Sequence, residues 1–225
     1  MENYIHADNY IKSPEDQDSL LPLMTLFESN IRPDGVRNRA YLKLIWNRQL
    51  DQISLAKNQA YFQSHNSNLI DGGKVRQFAI MDKRVLDVPV MKNVVTYNLE
   101  LIKTFEPLLQ HQELVLGLHF IQYKTHKYGA SYSSPDTLHV DDEPLVFVHL
   151  LNLTCNAWGG DNLIADLQTK KITNVLRLEK PFETILLTQD YYHAVTPLGS
   201  RNNEARRDIL LFTVEPLTTQ VESAT

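Results

Sequence analysis

The spacing of hydrophobic residues changes part-way along the chain. Between Val95 and Leu109 they fall at Val95, Leu99, Ile102, Phe105 and Leu109, every three to four positions. That spacing places them on one face of a helix ending near Gln110, with Pro107 weakening its last turn. Residues Arg39 to Phe62 are rich in Leu, Lys, Gln, Arg and Ala and contain neither proline nor glycine. With apolar positions at Tyr41, Leu44, Ile45, Ile53, Leu55 and Ala56, that segment too reads as helix. Ser13-Pro14-Glu15-Asp16 marks an earlier helix start: an N-cap serine, proline at the first helical position, then acids at the positive end of the dipole.

After Gln110 the texture turns to short β-branched and aromatic runs separated by turn residues. It predicts strands at Leu114–Tyr123, Leu145–Leu151, Asn162–Asp166, Thr184–Thr188 and Asp208–Val214, with a further one at Ile172–Leu176. Helices first and strands later, without βαβ alternation, predict an α+β architecture in which a helical layer backs a sandwich or barrel. No linker is visible. Residues 1–225 therefore read as a single domain: a helix-rich part (1–110), a β core (111–216) and a frayed polar tail (217–225).

Composition narrows the classes of function. With 225 residues, 43% hydrophobic and 22% charged, the chain can enclose a substantial core. No period of 20–50 residues repeats along it. Lysine and arginine number 22 against 27 acids, a formal charge of −5, and no basic run could track a phosphate backbone, so no nucleic acid partner is expected. Met1 to His6 has neither the basic nor the apolar region of a secretory signal. The most apolar run, Leu145 to Leu153, is about half the roughly 20 residues a membrane-spanning helix requires, so no membrane partner is expected. The single cysteine, Cys155, reads as a small buried apolar residue, and with no internal disulfide available a cytoplasmic location is expected. Oligomeric state is left open.

Most motifs that carry chemistry are absent, among them G-x-G-x-x-G, G-x-x-x-x-G-K, H-E-x-x-H, C-x-x-C and G-x-S-x-G. What remains is Leu138-His139-Val140-Asp141-Asp142 ahead of one strong strand and Tyr192-His193-Ala194 after another. In extended chain His139 and Asp141 point to the same side and could ligate one ion, with His193 closing a third position from a neighbouring strand end. Two imidazoles and one carboxylate on one face are the ligand set of non-haem Fe(II) oxygenases, which leaves positions for a cosubstrate and dioxygen. A zinc hydrolase could use the same set, although no H-x-E with C-x-x-C accompanies it. A jelly-roll protein that binds a small ligand without turnover is the other alternative. A short H-x-D pattern also arises by chance as a loop histidine and a solvated acid. Fourteen residues after His193, Arg206-Arg207 opens an apolar strand, and Arg207 is suited to the far carboxylate of a dicarboxylate cosubstrate through two parallel hydrogen bonds.

Taken in order, these segments resemble the iron and 2-oxoglutarate dioxygenases that hydroxylate free L-amino acids. Arg32-Pro33-Asp34-Gly35-Val36-Arg37-Asn38-Arg39 is similar to that family's glycine and arginine segment. Gln63 to Phe78, with Asn66, Gly72-Gly73 and Arg76, is similar to its Q, N, GG, R, F pattern. Leu118-His119-Phe120, Pro135 to Asp141, Trp158-Gly159-Gly160-Asp161, Thr188 to His193 and Arg207 to Leu210 follow in the family's order. The resemblance implies a double-stranded β-helix, a form of jelly roll backed by N-terminal helices. It implies iron ligands His139, Asp141 and His193, Arg207 on 2-oxoglutarate, and dioxygen as the second cosubstrate. The reaction it implies is hydroxylation of a free L-amino acid coupled to decarboxylation of 2-oxoglutarate to succinate and carbon dioxide. Pro135-Asp136-Thr137 stands where the family commonly has P-E-G, and Gln122 where it often has arginine, which leaves the amino acid open among isoleucine, leucine, methionine and cyclic or basic ones.

Arg76, His119 and Gln122 are the candidate substrate residues; the plain alternative for Arg76 is an exposed arginine, and for His119 a structural histidine. His149 reads as a hydrogen-bonded interior histidine rather than a fourth ligand. Gly72-Gly73 and Gly159-Gly160 read as turns that need positive φ.

Overall fold

The computed structural model describes residues 3–34, 37–68 and 72–217; the predicted tail beyond Leu217 lies outside the described residues. The α-helices among the described residues are α1 (Pro14–Asp18), α2 (Leu20–Asn30), α3 (Pro89–Ile102) and α4 (Glu106–Leu109). The strands of the first half are β1 (Tyr4–Ile5), β2 (Arg32–Asp34), β3 (Arg37–Asn47), β4 (Gln52–Leu55), β5 (Tyr61–Gln63) and β6 (Lys74–Arg76). Those that follow are β7 (Glu113–Thr125), β8 (Ala130–Ser131), β9 (Leu145–Leu153), β10 (Ala157–Trp158) and β11 (Asn162–Asp166). The last are β12 (Ile172–Leu176), β13 (Thr184–Thr188), β14 (Tyr191–Val195), β15 (Leu198–Ser200) and β16 (Ala205–Pro216).

The main sheet runs β1-β13-β9-β16-β7-β3-β2, with β4 paired to β3, and its pairs are antiparallel. The described residues also form three smaller antiparallel sheets, β12-β11-β14, β10-β15-β8 and the pair β5-β6. This is an α+β jelly roll. The main sheet is covered on both faces, and the side-chain period of two sorts its residues between them. Leu42, Leu44 and Trp46 of β3, Leu116, Leu118 and Phe120 of β7 and Phe212 and Val214 of β16 join one buried cluster with Leu23 and Phe27 of α2 and Met91 and Val94 of α3. The alternate positions, among them Ile121, Val146, Val148, Leu187 and Ile209, form a second cluster on the inner face.

The six predicted strands of the second half are present: β11, β12 and β13 have the expected bounds, and β7, β9 and β16 run one to three residues further at one or both ends. Ser13 caps α1 as expected, its Oγ accepting from the Asp16 backbone N–H at 3.2 Å, with Pro14 in the first turn. The helix expected over Arg39–Phe62 is instead β3, β4 and the start of β5. Both faces of β3 are buried, so apolar residues occupy positions on each side and the alternation that signals a strand is blurred; tertiary pairing then overrides residues that favour helix. The helix expected to end near Gln110 begins at Pro89 and stops at Ile102, and Pro107 lies in the first turn of the separate α4. Cys155 is exposed rather than buried, because it lies in the turn between β9 and β10. No described helix is long and apolar enough to cross a membrane.

His149 is an interior histidine on the outer face of the sheet. Tyr10 Oη donates to Asn98 Oδ1 (3.0 Å), Asn98 Nδ2 donates to His149 Nε2 (3.0 Å), and His149 Nδ1–H donates to Thr184 Oγ1 (2.7 Å). The chain ends as Thr184 Oγ1 donates to the Phe182 carbonyl at 3.0 Å. Each member is buried, and the network fixes the neutral tautomer with its proton on Nδ1. Burial pushes the His149 pKa from 6.5 down to about 3. The unfolded chain then binds the proton more tightly than the folded one. Stability from the neutral ring is complete above pH 6.5 and is lost as pH falls towards 3, at about 1.4 kcal/mol per pH unit. His149→Gln should destabilise the protein at pH 7, and its deficit relative to wild type should shrink by about 2 kcal/mol between pH 6.5 and 5 in urea unfolding with chelator present. A pH-independent deficit would remove this role for the ring.

Candidate metal centre and active site

The cavity lies between the inner face of the main sheet and the small sheet that contains β14. His193, in the middle of β14, is opposite Ile164 of β11. His139 lies outside any regular strand, but two backbone hydrogen bonds tie it to His193: His139 N–H to the His193 carbonyl at 3.0 Å and His193 N–H to the His139 carbonyl at 2.9 Å. This single antiparallel bridge sets the imidazoles side by side, ring centroids 4.2 Å apart. Asp141 reaches both: Oδ1 is 3.5 Å from His139 Nε2 and Oδ2 is 3.3 Å from His193 Nε2. One ligand atom from each of the three residues falls within 4.8 Å of the others.

The arrangement fits a divalent cation. His139 Nδ1–H donates to the Thr137 carbonyl at 2.8 Å, which fixes the tautomer and leaves Nε2 as a lone-pair donor turned towards Asp141. Burial opposes ionisation of Asp141, but the two histidines beside it prevail and hold its carboxyl well below the usual range. Burial also opposes charge on His139, and the Asp141 carboxylate outweighs it, raising that pKa. Two nitrogens and one carboxylate oxygen gathered on one side of a position leave the other side free for exogenous ligands, as a non-haem Fe(II) site requires.

Arg207 is on the inner face of β16 and lines the same cavity. It is 3% exposed, and its Nη2 is buried without a hydrogen-bond partner. Burial lowers its proton affinity, yet a guanidinium keeps its charge, so the site holds a cation suited to an anionic ligand. Gly160 leaves room for the Arg207 side chain, and Gly159 for the Pro197 carbonyl. Both have positive φ (+70° and +74°), and a Cβ on Gly160 would stand 3.0 Å from Arg207 Cδ.

His119, fully buried on β7, lines the cavity, and Arg39 Nη2 is 2.6 Å from its Nδ1. Burial, reinforced by Arg39, holds the ring neutral, so Nδ1 accepts and Nε2 carries a proton that has no partner. Gln122 does not line the cavity. The β7 alternation that turns His119, Ile121 and Tyr123 into the cavity turns Gln122 away, where it accepts from Asn38 Nδ2 at 3.1 Å. Arg76 does not line the cavity either; it is half-buried behind Gln63, donating to Gln63 Oε1 at 3.0 Å. Sequence reasoning missed Arg39, Tyr61 and Glu143 on the cavity wall. Glu143 had a signal, since it continues the two-residue spacing of His139 and Asp141. Arg39 had only its place at the end of the Arg32–Arg39 segment, and a helix over Arg39–Phe62 gives it no reason to face a cavity. Burial, with Asp141 and Glu215 nearby, pushes the Glu143 carboxyl up to about 8.

The profile of the 2OG-Fe dioxygenase family matches residues 24–213. The chain belongs to this family. As a 2OG-Fe dioxygenase it uses Fe(II), 2-oxoglutarate and dioxygen, which displaces the zinc-hydrolase and non-catalytic readings. It is 40% identical over 203 residues to L-isoleucine-4-hydroxylase of Bacillus thuringiensis, covering 88% of this chain and 84% of the relative. It is 34% identical over 183 residues to 3(1)-hydroxy-L-isoleucine 4-dioxygenase of Pantoea ananatis strain AJ13355, covering 80% and 73%. The crystal structure of IDO from Bacillus thuringiensis superposes with a TM-score of 0.84 at 34% identity, over 96% of this dioxygenase and 90% of that chain.

Asp141→Ala leaves two nitrogen donors on different segments. The variant should keep its far-UV circular dichroism and lose at least roughly 100-fold in Mn(II) affinity, read by electron paramagnetic resonance of the free ion. Wild-type Mn(II) affinity in that variant would disqualify the cluster as the metal site.

Proposed function

We propose that this dioxygenase hydroxylates a free aliphatic L-amino acid, with His139, Asp141 and His193 holding Fe(II) and Arg207 holding the far carboxylate of 2-oxoglutarate. The observation that carries the reading is the pairing, in one cavity, of the His-Asp-His cluster with the buried, unpartnered Nη2 of Arg207. The substrate class is supported by the printed activities of the two relatives, both on isoleucine or a hydroxyisoleucine, which puts L-isoleucine first and leaves leucine and methionine next. The proposal treats residues 1–225 as one dioxygenase domain, supported by the packing of α2 and α3 on the outer face of the main sheet. It places the protein in the cytoplasm, supported by a lone cysteine with no internal partner.

Bound in this cavity, Fe(II) with 2-oxoglutarate and dioxygen supplies an oxidant that puts one oxygen atom into a C–H bond while 2-oxoglutarate leaves as succinate and carbon dioxide. The chain's own residues do the positioning. Thr137 holds His139 in the coordinating tautomer, and Asp141 stays ionised between the imidazoles. Arg207 offers a permanent charge to the distal carboxylate. Ile121, Val148, Leu187 and Ile209 line the cavity with apolar surface that excludes water and offers no readily oxidised heteroatom.

Incubating the Fe(II) enzyme with 2-oxoglutarate and each of the twenty L-amino acids should show 2-oxoglutarate consumption with L-isoleucine or a near neighbour, and a product 16 mass units heavier. Consumption with none of the twenty would overturn the substrate class. Arg207→Ala should raise the apparent KM for 2-oxoglutarate roughly 10- to 100-fold, as expected for losing a charge-assisted pair. An unchanged KM would take Arg207 out of the cosubstrate site.

A further inference from the structure

Among the described residues, three cations and two acids line the cavity. The cations are Arg37, Arg39 and Arg207, and the acids are Asp141 and Glu143. Asp141 belongs to the proposed metal cluster and Arg207 to the proposed cosubstrate site. Arg37 has its own partner, Asp34 Oδ2, 3.2 Å from its Nε. That leaves one cation and one carboxyl group without an assigned task.

Arg39 is 6% exposed and its Nε is buried without a partner. Its Nη2 contacts His119, its Nη1 stands 3.7 Å from the Asp34 carboxylate already engaged by Arg37, and its face lies 4.1 Å from the Phe78 ring centroid. Glu143 is 5% exposed, and Tyr61 Oη donates to its Oε1 at 3.3 Å. Tyr61 joins the two groups: its ring centroid is 5.5 Å from the Arg39 guanidinium carbon, while its hydroxyl touches Glu143. Buried charges are retained where a partner neutralises them. A ligand bearing only a carboxylate would satisfy Arg39 and leave Glu143 facing it. A ligand bearing only an amine would do the reverse. A zwitterion, with one anionic and one cationic group on the same carbon, matches both.

We propose that Arg39 and Glu143, spaced by Tyr61, form the subsite for the α-amino acid head: Arg39 takes the α-carboxylate and Glu143 the α-ammonium. This rests on the free amino acid reading above and gives it residues other than Arg76 and Gln122. The subsite would disfavour an N-acylated amino acid, whose amide nitrogen has no positive charge to hold Glu143 ionised and whose acyl group would enter a buried corner.

The test is a cycle between protein and ligand. The anaerobic Fe(II)·2-oxoglutarate holoenzyme is titrated calorimetrically with the twenty L-amino acids, and the tightest is compared with its α-hydroxy acid, which lacks the ammonium, and its α-carboxamide, which lacks the carboxylate. Wild type should prefer the amino acid over the hydroxy acid by about 50-fold, the range for a buried charge-assisted hydrogen bond. In Glu143→Gln, which preserves shape, that preference should fall below about 5-fold while affinity for the hydroxy acid stays within about 3-fold of wild type. Arg39→Gln should erase the preference over the carboxamide in the same way. If Arg39→Gln does not fold, the Glu143→Gln arm decides alone. Equal weakening of amino acid and hydroxy acid in Glu143→Gln, or an undiminished preference, overturns the subsite while leaving the amino acid reading standing. A wild-type holoenzyme that binds none of the twenty overturns both.

Discussion

Two backbone hydrogen bonds between His139 and His193 hold the site together. They join residues 54 positions apart and bring an irregular segment alongside β14, so that the two imidazoles and Asp141 meet around one point. An isolated bridge is a weak device alone. Here it is anchored on one side by the β14-β11 pairing and on the other by Asp142, whose carboxylate accepts from Ser64 N–H at 2.6 Å and Ser64 Oγ at 2.7 Å. The connection after β5 is thereby bound to the segment that carries His139 and Asp141.

The division of the main sheet into two faces separates stability from chemistry. The outer face, with its aromatic and aliphatic layer under α2 and α3, contains its polar groups in a closed chain from Tyr10 to Thr184. The inner face keeps polar groups with unused hydrogen-bonding capacity, two of them cations: Arg39 Nε, His119 Nε2 and Arg207 Nη2 are all buried without partners. Such groups cost stability when nothing meets them, and they gather where ligands with complementary charge would sit. His149 and His119 differ accordingly. Both are neutral and fully buried, but His149 uses both ring nitrogens and His119 uses one.

The chemistry was more legible in the sequence than the architecture of the first half. His139, Asp141, His193 and Arg207 each belong to a short pattern next to a strand with plain β-branched composition, and those strands form where expected. Arg39 to Phe62 misled because β3 is buried on both sides: Ala40, Leu42, Leu44 and Trp46 face the helices while Arg39, Tyr41 and Lys43 face the cavity side, and the mixture imitates a helix in composition. Gln122 and Arg76 were placed by their position in a family pattern, and position along the chain does not say which way a strand side chain points or what stands in front of it.

The sequence by itself determined which side chains are of a type that could hold a metal and the β-rich character of the second half, since these follow from residue identity and local spacing. Which cavity-facing groups share one space was decided by tertiary structure. Strand pairing sets register, register sets facing, and facing alone turned Arg39 and His119 inward and Gln122 outward.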